Sequence, residues 1–428
     1  MIILKKKLFF NVGMLALSNI FVRIIGLIYK VWLAKEISPV ALGIYQLAMS
    51  VYSVFVTPIA SGLPNATSRL AAKYSVYNKE KSVLASSVKL ALYPLVCSLI
   101  ILFFGKDIIA GIFLHDKAMG GVILALIPAV TLGALAALPA AYLHAKGRSS
   151  LPAVFEIIEQ LLKILFAFIV IRIFYTSDIR LQAVLPVLAV SFGGIISFVM
   201  LFASAGKLDF KSGGYEKELF QNAMPHTLAR LGTTVLHLFT TTLLPVCLVK
   251  YGLSNEAALS QYGILTSMAY PVVFAPMTVI SALCVVTLPE IAKNLNNPKA
   301  IKHKFTVSFL FSLVTTILFS AIIFLFAPHF AKTVFHQELA GRFMVMLIPS
   351  IIFLGLASVS RTLLNGIGKQ KTLMVTSILD GFFGLLLTFF LARSFGIYGF
   401  IIGNCVQDML AFVLNFSLCV RYMKKLYS

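Results

Sequence analysis

The chain has 428 residues, of which 59% are hydrophobic and 12% charged, and it carries a formal net charge of +21. Soluble domains hold roughly 25% charged residues, so this composition excludes a soluble protein. The positive balance invites a nucleic-acid reading, but no basic stripe interleaved with aromatics is present to support one.

Apolar runs of about 20 residues or more, separated by short polar loops, predict helices that satisfy their own backbone hydrogen bonds in lipid. They do not alternate apolar with polar residues, which excludes a transmembrane barrel. The pattern predicts an all-α polytopic membrane protein with spans near 8–34, 41–66, 83–104, 119–145, 150–175, 182–205, 222–249, 258–288, 305–327, 341–365, 372–392 and 396–420. That is twelve helices, expected as two parallel six-helix pseudo-repeats around a central cavity.

The first run follows Lys5, Lys6 and Lys7, as a signal peptide would. It is far longer than a signal's apolar region, so an uncleaved first helix is expected. Within it Asn19, Arg23, Gly26 and Lys30 step by 4, 3 and 4, which places them on one stripe. Lys30 sits about one turn from the helix end and can snorkel toward the interface. Arg23 lies about 16 Å from that end at 1.5 Å per residue, too deep to do the same. The fifth span carries Glu156, Glu159, Gln160 and Lys163 on one face.

A polar stretch at 206–221, GKLDFKSGGYEKELFQ, marks a cytoplasmic linker between an N-terminal lobe, 1–205, and a C-terminal lobe, 222–428. The seventh span then opens the second lobe with Asn222, His226, Arg230, Thr233, His237 and Thr241, again on one stripe. The two histidines have no acidic or cysteine companion on that helix, so no metal site is expected. Further on, Arg361 lies in the tenth span and Asp380 in the eleventh; Asn404, Asp408 and Asn415 share a stripe of the twelfth.

The lobes repeat one another at a shift of 221 residues. LIPAVTLGALAALPAAYLHAKGR, 126–148, aligns without gaps on LIPSIIFLGLASVSRTLLNGIGK, 347–369, and Glu159 falls on Asp380. A weaker echo at a shift of 218 places Tyr52 on Tyr270 and Pro58 on Pro276. Parallel repeats are a recurrent plan of secondary transporters, with the substrate site expected between the halves.

With the N-terminus inside, the inner segments hold 21 lysines and arginines and the outer loops eight: Lys35, Lys106, Lys117, Arg180, Lys250, Lys332, Arg342 and Arg393. The positive-inside rule therefore predicts both termini in the cytoplasm of a cell-membrane protein. The five cysteines lie singly in spans, with no disulfide or zinc spacing. Prolines inside the spans, Pro58, Pro64, Pro128, Pro139, Pro271, Pro276 and Pro349, read either as ordinary membrane-helix prolines or as kinks beside a cavity.

An ionisable residue central in a span costs about 2.5–3.5 kcal/mol on the translocon scale, so such groups mark a pathway or a pair. A cavity walled by Arg23, Lys30 and Arg230, with Asn19, Asn222, His226 and His237 as polar companions, repels organic cations. It suits an anion, above all pyrophosphate, which guanidinium binds bidentately. The acids Glu156, Glu159, Asp380 and Asp408, with Lys163, would tune that charge or take coupling H+ or Na+. They also read as interhelical ion pairs serving assembly alone. No catalytic or nucleotide-binding motif stands in a fitting context, so no enzyme activity and no cofactor are expected.

VRIIGLIYKVWLAKEISPVALGIYQLAMSVYSVF followed by ASGLPNATSRLAAKY, 22–74, resembles the stage V sporulation protein B and polysaccharide-exporter branch of the multidrug/oligosaccharidyl-lipid/polysaccharide (MOP) flippase superfamily. The carriers are Arg23 to Gly26 (Arg-x-x-Gly), Gly43 with Tyr45, and Gly62 to Ser68 (Gly-Leu-Pro-x-Ala-x-Ser). The resemblance implies a flippase that moves an undecaprenyl-pyrophosphate sugar, lipid II-like, from inner to outer leaflet by alternating access. Its expected partners are that lipid-linked sugar, membrane lipids and enzymes of cell-wall or spore-envelope synthesis. Arg23 matches a position that holds pyrophosphate in the lipid II flippases of this superfamily; Lys30 falls one residue from their second base. Those flippases have fourteen helices and basic residues in the second and eighth, whereas twelve helices and no such residues are predicted here. A cation-coupled multidrug exporter of the same fold and a non-transporting scaffold for envelope assembly are the alternatives.

Overall fold

Lipid offers a backbone no hydrogen-bond partner but itself, and the computed structural model is accordingly all helix, with no strand among the described residues. It describes residues 2–174, 177–210 and 214–427, with side chains left undescribed for 2–17, 19 and 425–427. In chain order the helices are α1 (Ile2–Glu36), α2 (Pro39–Ala60), α3 (Gly62–Tyr74), α4 (Glu80–Phe104), the short α5 (Lys106–Ile109), α6 (Gly120–Ala145), α7 (Ser150–Ile173) and α8 (Ile179–Ala205). Then follow α9 (Glu216–Lys250), α10 (Asn255–Gly263), α11 (Tyr270–Val273), α12 (Met277–Lys293), α13 (Pro298–Phe330), α14 (Glu338–Met346), α15 (Ile348–Gly366), α16 (Gln370–Leu387) and α17 (Arg393–Tyr427).

Among the described residues every predicted span falls on helix, and three of them are broken; residue 175, at the end of the fifth, lies outside those residues. Ser61 separates α2 from α3, just past Pro58, and its hydroxyl donates to the Thr57 carbonyl at 2.6 Å. The eighth span bends by 55° at 274–276, between α11 and α12. Pro276 lies in that break, where its missing N–H cannot extend a helix. The tenth is split at Leu347, before Pro349 at the start of α15.

Eight of the described helices are long and apolar enough to cross a membrane, nine if the bent pair is one span. Three expected spans drop out for separate reasons. Nearly half of the α1 side chains are undescribed, α7 carries Glu156, Glu159, Lys163 and Arg172, and the last two spans run on as one stretch broken only at Gly396, whose φ is 62°.

The 221-residue shift is written into the backbone. A π-helical turn at Ala110–Leu114 ends in left-handed His115, and another at Ala331–Phe335 ends in left-handed His336. Past α6, Gly147 (φ 70°) lets Arg148 N–H reach the Leu143 carbonyl at 2.9 Å. Past α15, Gly368 (φ 77°) lets Lys369 reach Leu364 at the same distance.

The chain forms two compact units, Met1–Gly26 with Ile44–Leu238, and Leu27–Gly43 with Phe239–Ser428. In the first, α6 packs against α3, α4 and α8, burying Leu126, Val130, Leu138 and Tyr142. In the second, α15 packs against α12, α13 and α17 around Ile280, Ile291, Phe305, Val359, Leu363 and Cys419. All five cysteines are free thiols. The linker is docked on the first unit. Asp209 accepts from Ser82 at 2.8 Å, Glu216 pairs with Lys89 at 3.5 Å, and Glu218 accepts from Lys73 and Tyr74, each at 2.9 Å.

Two consequences are measurable. In the second unit a Cβ on Gly263 would lie 2.0 Å from the Pro39 carbonyl oxygen and 2.7 Å from the Gly43 nitrogen. Gly263→Ala is therefore expected to cost about 1–3 kcal/mol as overpacking, read as a lower unfolding midpoint in detergent. Gly121→Ala, which meets nothing within 4 Å, should leave the midpoint level or raise it.

The second concerns Glu80, whose carboxylate accepts from Lys146 at 3.0 Å with its side chain only 12% exposed. Burial opposes its charge, yet its own backbone N–H and the Lys146 ammonium together hold the carboxyl below its ordinary range. A depressed folded value stabilises above the unfolded pKa, and that contribution is lost as pH falls through the folded one. Midpoints of the parent and of Glu80→Gln should thus differ at pH 7 by the equivalent of about 0.5–1 kcal/mol and converge in acid; a pH-independent gap would contradict the pairing.

Candidate functional site

In the first unit α1 meets α7 where the Ser18 hydroxyl donates to the Ala153 carbonyl at 3.2 Å. One turn further along each helix, Arg23 acts electrostatically on Glu156, and Glu156 on Glu159. Arg23 is exposed on the packed chain, as is Glu156; Glu159 and Lys163 are half-buried. Lys163 donates to Gln160 on its own helix. Glu159 is also the electrostatic neighbour of Tyr52 on α2, whose hydroxyl reaches across to Gly133 on α6. This site thus has one guanidinium, two carboxylates and a phenol drawn from α1, α7 and α2.

The polar stripe of α9 is built differently. Asn222 donates to the Glu218 carbonyl at 2.7 Å, and the Arg230 carbonyl accepts from both Thr233 and Thr234 at 2.8 Å. Thr234 is also 3.5 Å from Thr57, which ties this stripe to α2. The Arg230 guanidinium acts electrostatically on His237, while His226 is exposed one turn before Arg230. Among the described residues, no group of three His, Cys, Asp or Glu is placed to hold a metal ion. The side chain of Asn19 lies outside the described residues. Lys30, seven residues beyond Arg23 on α1, is exposed and belongs to the second unit.

The second unit holds a separate polar network on α15, α16 and α17. Arg361 pairs with Asp380 at 3.4 Å, both side chains largely covered. Gln407 donates to the Asp380 carbonyl at 3.1 Å, across the space that glycine leaves at Gly384. Asp408 accepts from Ser350 and is the electrostatic neighbour of Asp380 and Arg361. Asn404 donates to Tyr270, and Asn415 accepts from Thr376 at 3.3 Å.

Ser350, Gln407, Tyr52 and Tyr270 are members of these networks that side-chain charge alone does not single out. Gln407 falls on the stripe of Asn404 and Asp408, three residues after the first. The tyrosines were visible as equivalents under the 218-residue shift, and each stands beside an acid of its own unit, Glu159 for Tyr52 and Asp408 for Tyr270. Ser350 has no such signal, since its counterpart in the first copy is Ala129.

An intramembrane guanidinium next to two carboxylates can hold an anion by exchanging partners. An acid coupled to a second acid and one arginine can take up a cation. Both chemistries belong to transport rather than bond breaking.

The family model for polysaccharide biosynthesis proteins matches residues 8–295, and the MatE model matches 234–390. The chain is 23% identical over 397 residues to stage V sporulation protein B of Bacillus subtilis (strain 168), covering 88% of this chain and 76% of that protein. It is 21% identical over 461 residues to the lipid II flippase MurJ of the same strain, covering 98% and 84%. An inward-facing multidrug-resistance MATE family transporter of the MOP superfamily superposes with a TM-score of 0.76 at 15% identity, over 96% of this chain and 99% of that one, so the fold is that of MATE transporters. The chain is a multi-pass membrane protein that belongs to the polysaccharide biosynthesis protein family, among the transporters and flippases of the MOP superfamily.

Proposed function

We propose that the chain is a flippase that moves an undecaprenyl-pyrophosphate-linked oligosaccharide from the inner to the outer leaflet of the cell membrane by alternating access. The product would serve peptidoglycan, spore-cortex or polysaccharide synthesis. The observation that carries this reading is Arg23, an exposed guanidinium deep in α1 whose neighbour is the exposed carboxylate Glu156. A pyrophosphate arriving at Arg23 replaces one anion by another, so the guanidinium is never left unpaired in a medium of low dielectric. Two parallel N–H donors match two phosphoryl oxygens, which a lysine could not do. Arg230, of the same unit, adds positive charge, with Asn19, Asn222, His226 and His237 as donors to the sugar phosphate. Glu156, Glu159 and Lys163 reset the charge after release. The near full-length similarity to a stage V sporulation protein and a lipid II flippase supports the substrate class.

Arg23→Ala should slow flipping of a fluorescent lipid-linked sugar in proteoliposomes about tenfold or more, the weight of roughly 1.5–3 kcal/mol carried by a hydrogen bond to a charged group. Arg23→Lys should recover only part of the rate. Both variants should still insert and unfold cooperatively; undiminished flipping by a folded Arg23→Ala protein would sink the proposal.

A second reading, a cation-coupled multidrug exporter, is favoured by one observation, the MatE match over 234–390, which contains the Arg361–Asp380 pair. On this reading Asp380 and Asp408 take H+ or Na+ as the coupling ion. Drug-accumulation assays separate the two. The exporter loses proton- or sodium-dependent efflux in Asp380→Asn and keeps it in Arg23→Ala, whereas the flippase shows no gradient-dependent drug efflux at all.

A further inference from the structure

At the corner between α13 and α14, wholly within the second unit, lies a cavity of about 650 Å³. Its lining includes His329, Lys332, Glu338, Arg342 and Tyr398 over an apolar floor. It stands at the end of α13 opposite Lys299, Lys302 and Lys304, the end at which the loops hold few cations. Two of the eight cations expected outside, Lys332 and Arg342, line this one cavity together with an imidazole. A membrane protein's general basic balance is concentrated on the other side and does not account for that convergence.

The surface leading to the cavity is apolar and open. On α13 Leu310, Val314, Leu318, Ile322 and Leu325 are exposed at steps of 4, 4, 4 and 3, and the stripe runs on to His329. From Leu310 to Leu325 it extends about 22 Å at 1.5 Å per residue, longer than one leaflet of a hydrocarbon core about 30 Å thick. The cationic mouth therefore sits where an acyl chain lying along α13 would place its headgroup. Tyr398 stands there as an interfacial aromatic, held edge-on against Phe343 with ring centroids 6.1 Å apart.

The charges are available. Lys332 pairs with Glu338 at 3.3 Å, but both side chains are about 70% exposed, and such a pair is readily exchanged. Arg342 is exposed and makes no ion pair among the described residues. A phosphodiester entering the cavity would meet the Arg342 fork directly and draw Lys332 from Glu338, while its acyl chains cover the stripe of α13.

We infer that this cavity is a binding site for the phosphate headgroup of an anionic phospholipid of the surrounding bilayer, separate from the seams used for transport. The site rests on the second unit alone and stands whether the transported substrate is a lipid-linked sugar or a drug.

The test is native mass spectrometry of the full-length protein, delipidated in detergent and titrated with phosphatidylglycerol or with phosphatidylcholine of the same acyl chains. Phosphatidylglycerol should be retained preferentially. Arg342→Gln should lower its occupancy about fivefold, the weight of one cation at a membrane surface, and adding Lys332→Gln should bring it to the phosphatidylcholine level. The matched pair Lys299→Gln and Lys302→Gln, at the far end of α13, should change nothing. Equal retention of the two lipids, or undiminished phosphatidylglycerol on a folded Arg342→Gln protein, would overturn the inference. So would displacement by glycerol 3-phosphate at equal concentration, which would make this a site for a soluble anion instead.

Discussion

A charge inside lipid must have a partner, and much of this molecule follows from that. With an intramembrane ion costing about 2.5–3.5 kcal/mol, Arg23 stands beside Glu156, Asp380 beside Arg361 and Asp408 against Ser350. Each pairing joins helices that hydrophobic burial alone would not register, because lipid tails are as apolar as leucine. The same pairings are what a substrate or a coupling ion can exchange with. In such a setting a structural ion pair and a transport site are two uses of one arrangement.

The internal repeat shows how the two units meet the constraint with different residues. The backbone devices recur at the shift of 221: a π-turn closed by a left-handed histidine, then a glycine cap after the next helix. The acid recurs as well, Glu159 and Asp380. Its surroundings do not. Where the first unit has Lys163 the second has Gly384, and Gln407 from α17 reaches the vacated space. Arg361 aligns with Ala140, so each unit draws its arginine from a different helix of the repeat. The first unit draws its intramembrane charges from α1, α7 and α9, and the second from α15, α16 and α17.

The helices were legible in the sequence because apolar runs of this length have no other fate in lipid. Their interruptions were less so. Pro58 and Pro276 are visible, but the breaks fall at Ser61 and at 274–276, where local hydrogen bonding and tertiary packing decide which turn gives way. Gly396, which separates the last two spans by φ alone, has no compositional mark. The polar stretch at 206–221 reads as a tether by composition. Yet Asp209, Glu216 and Glu218 fasten it to Ser82, Lys89, Lys73 and Tyr74, residues that lie more than 120 positions earlier in the chain.

By itself the sequence determined the membrane class, the order of helices, the repeat, and which residues share a polar face, since hydropathy and the 3.6-residue period are local properties. Only the tertiary structure decided what those faces meet. It set Arg23 beside Glu156, gave Lys163 to Gln160, brought Tyr52 and Tyr270 each to an acid, and assigned Arg23 and Lys30 of one stripe to different units. The reason is that electrostatic partnership depends on distances of a few ångströms between helices remote in the chain, and helical periodicity fixes the direction of a side chain without fixing its neighbour.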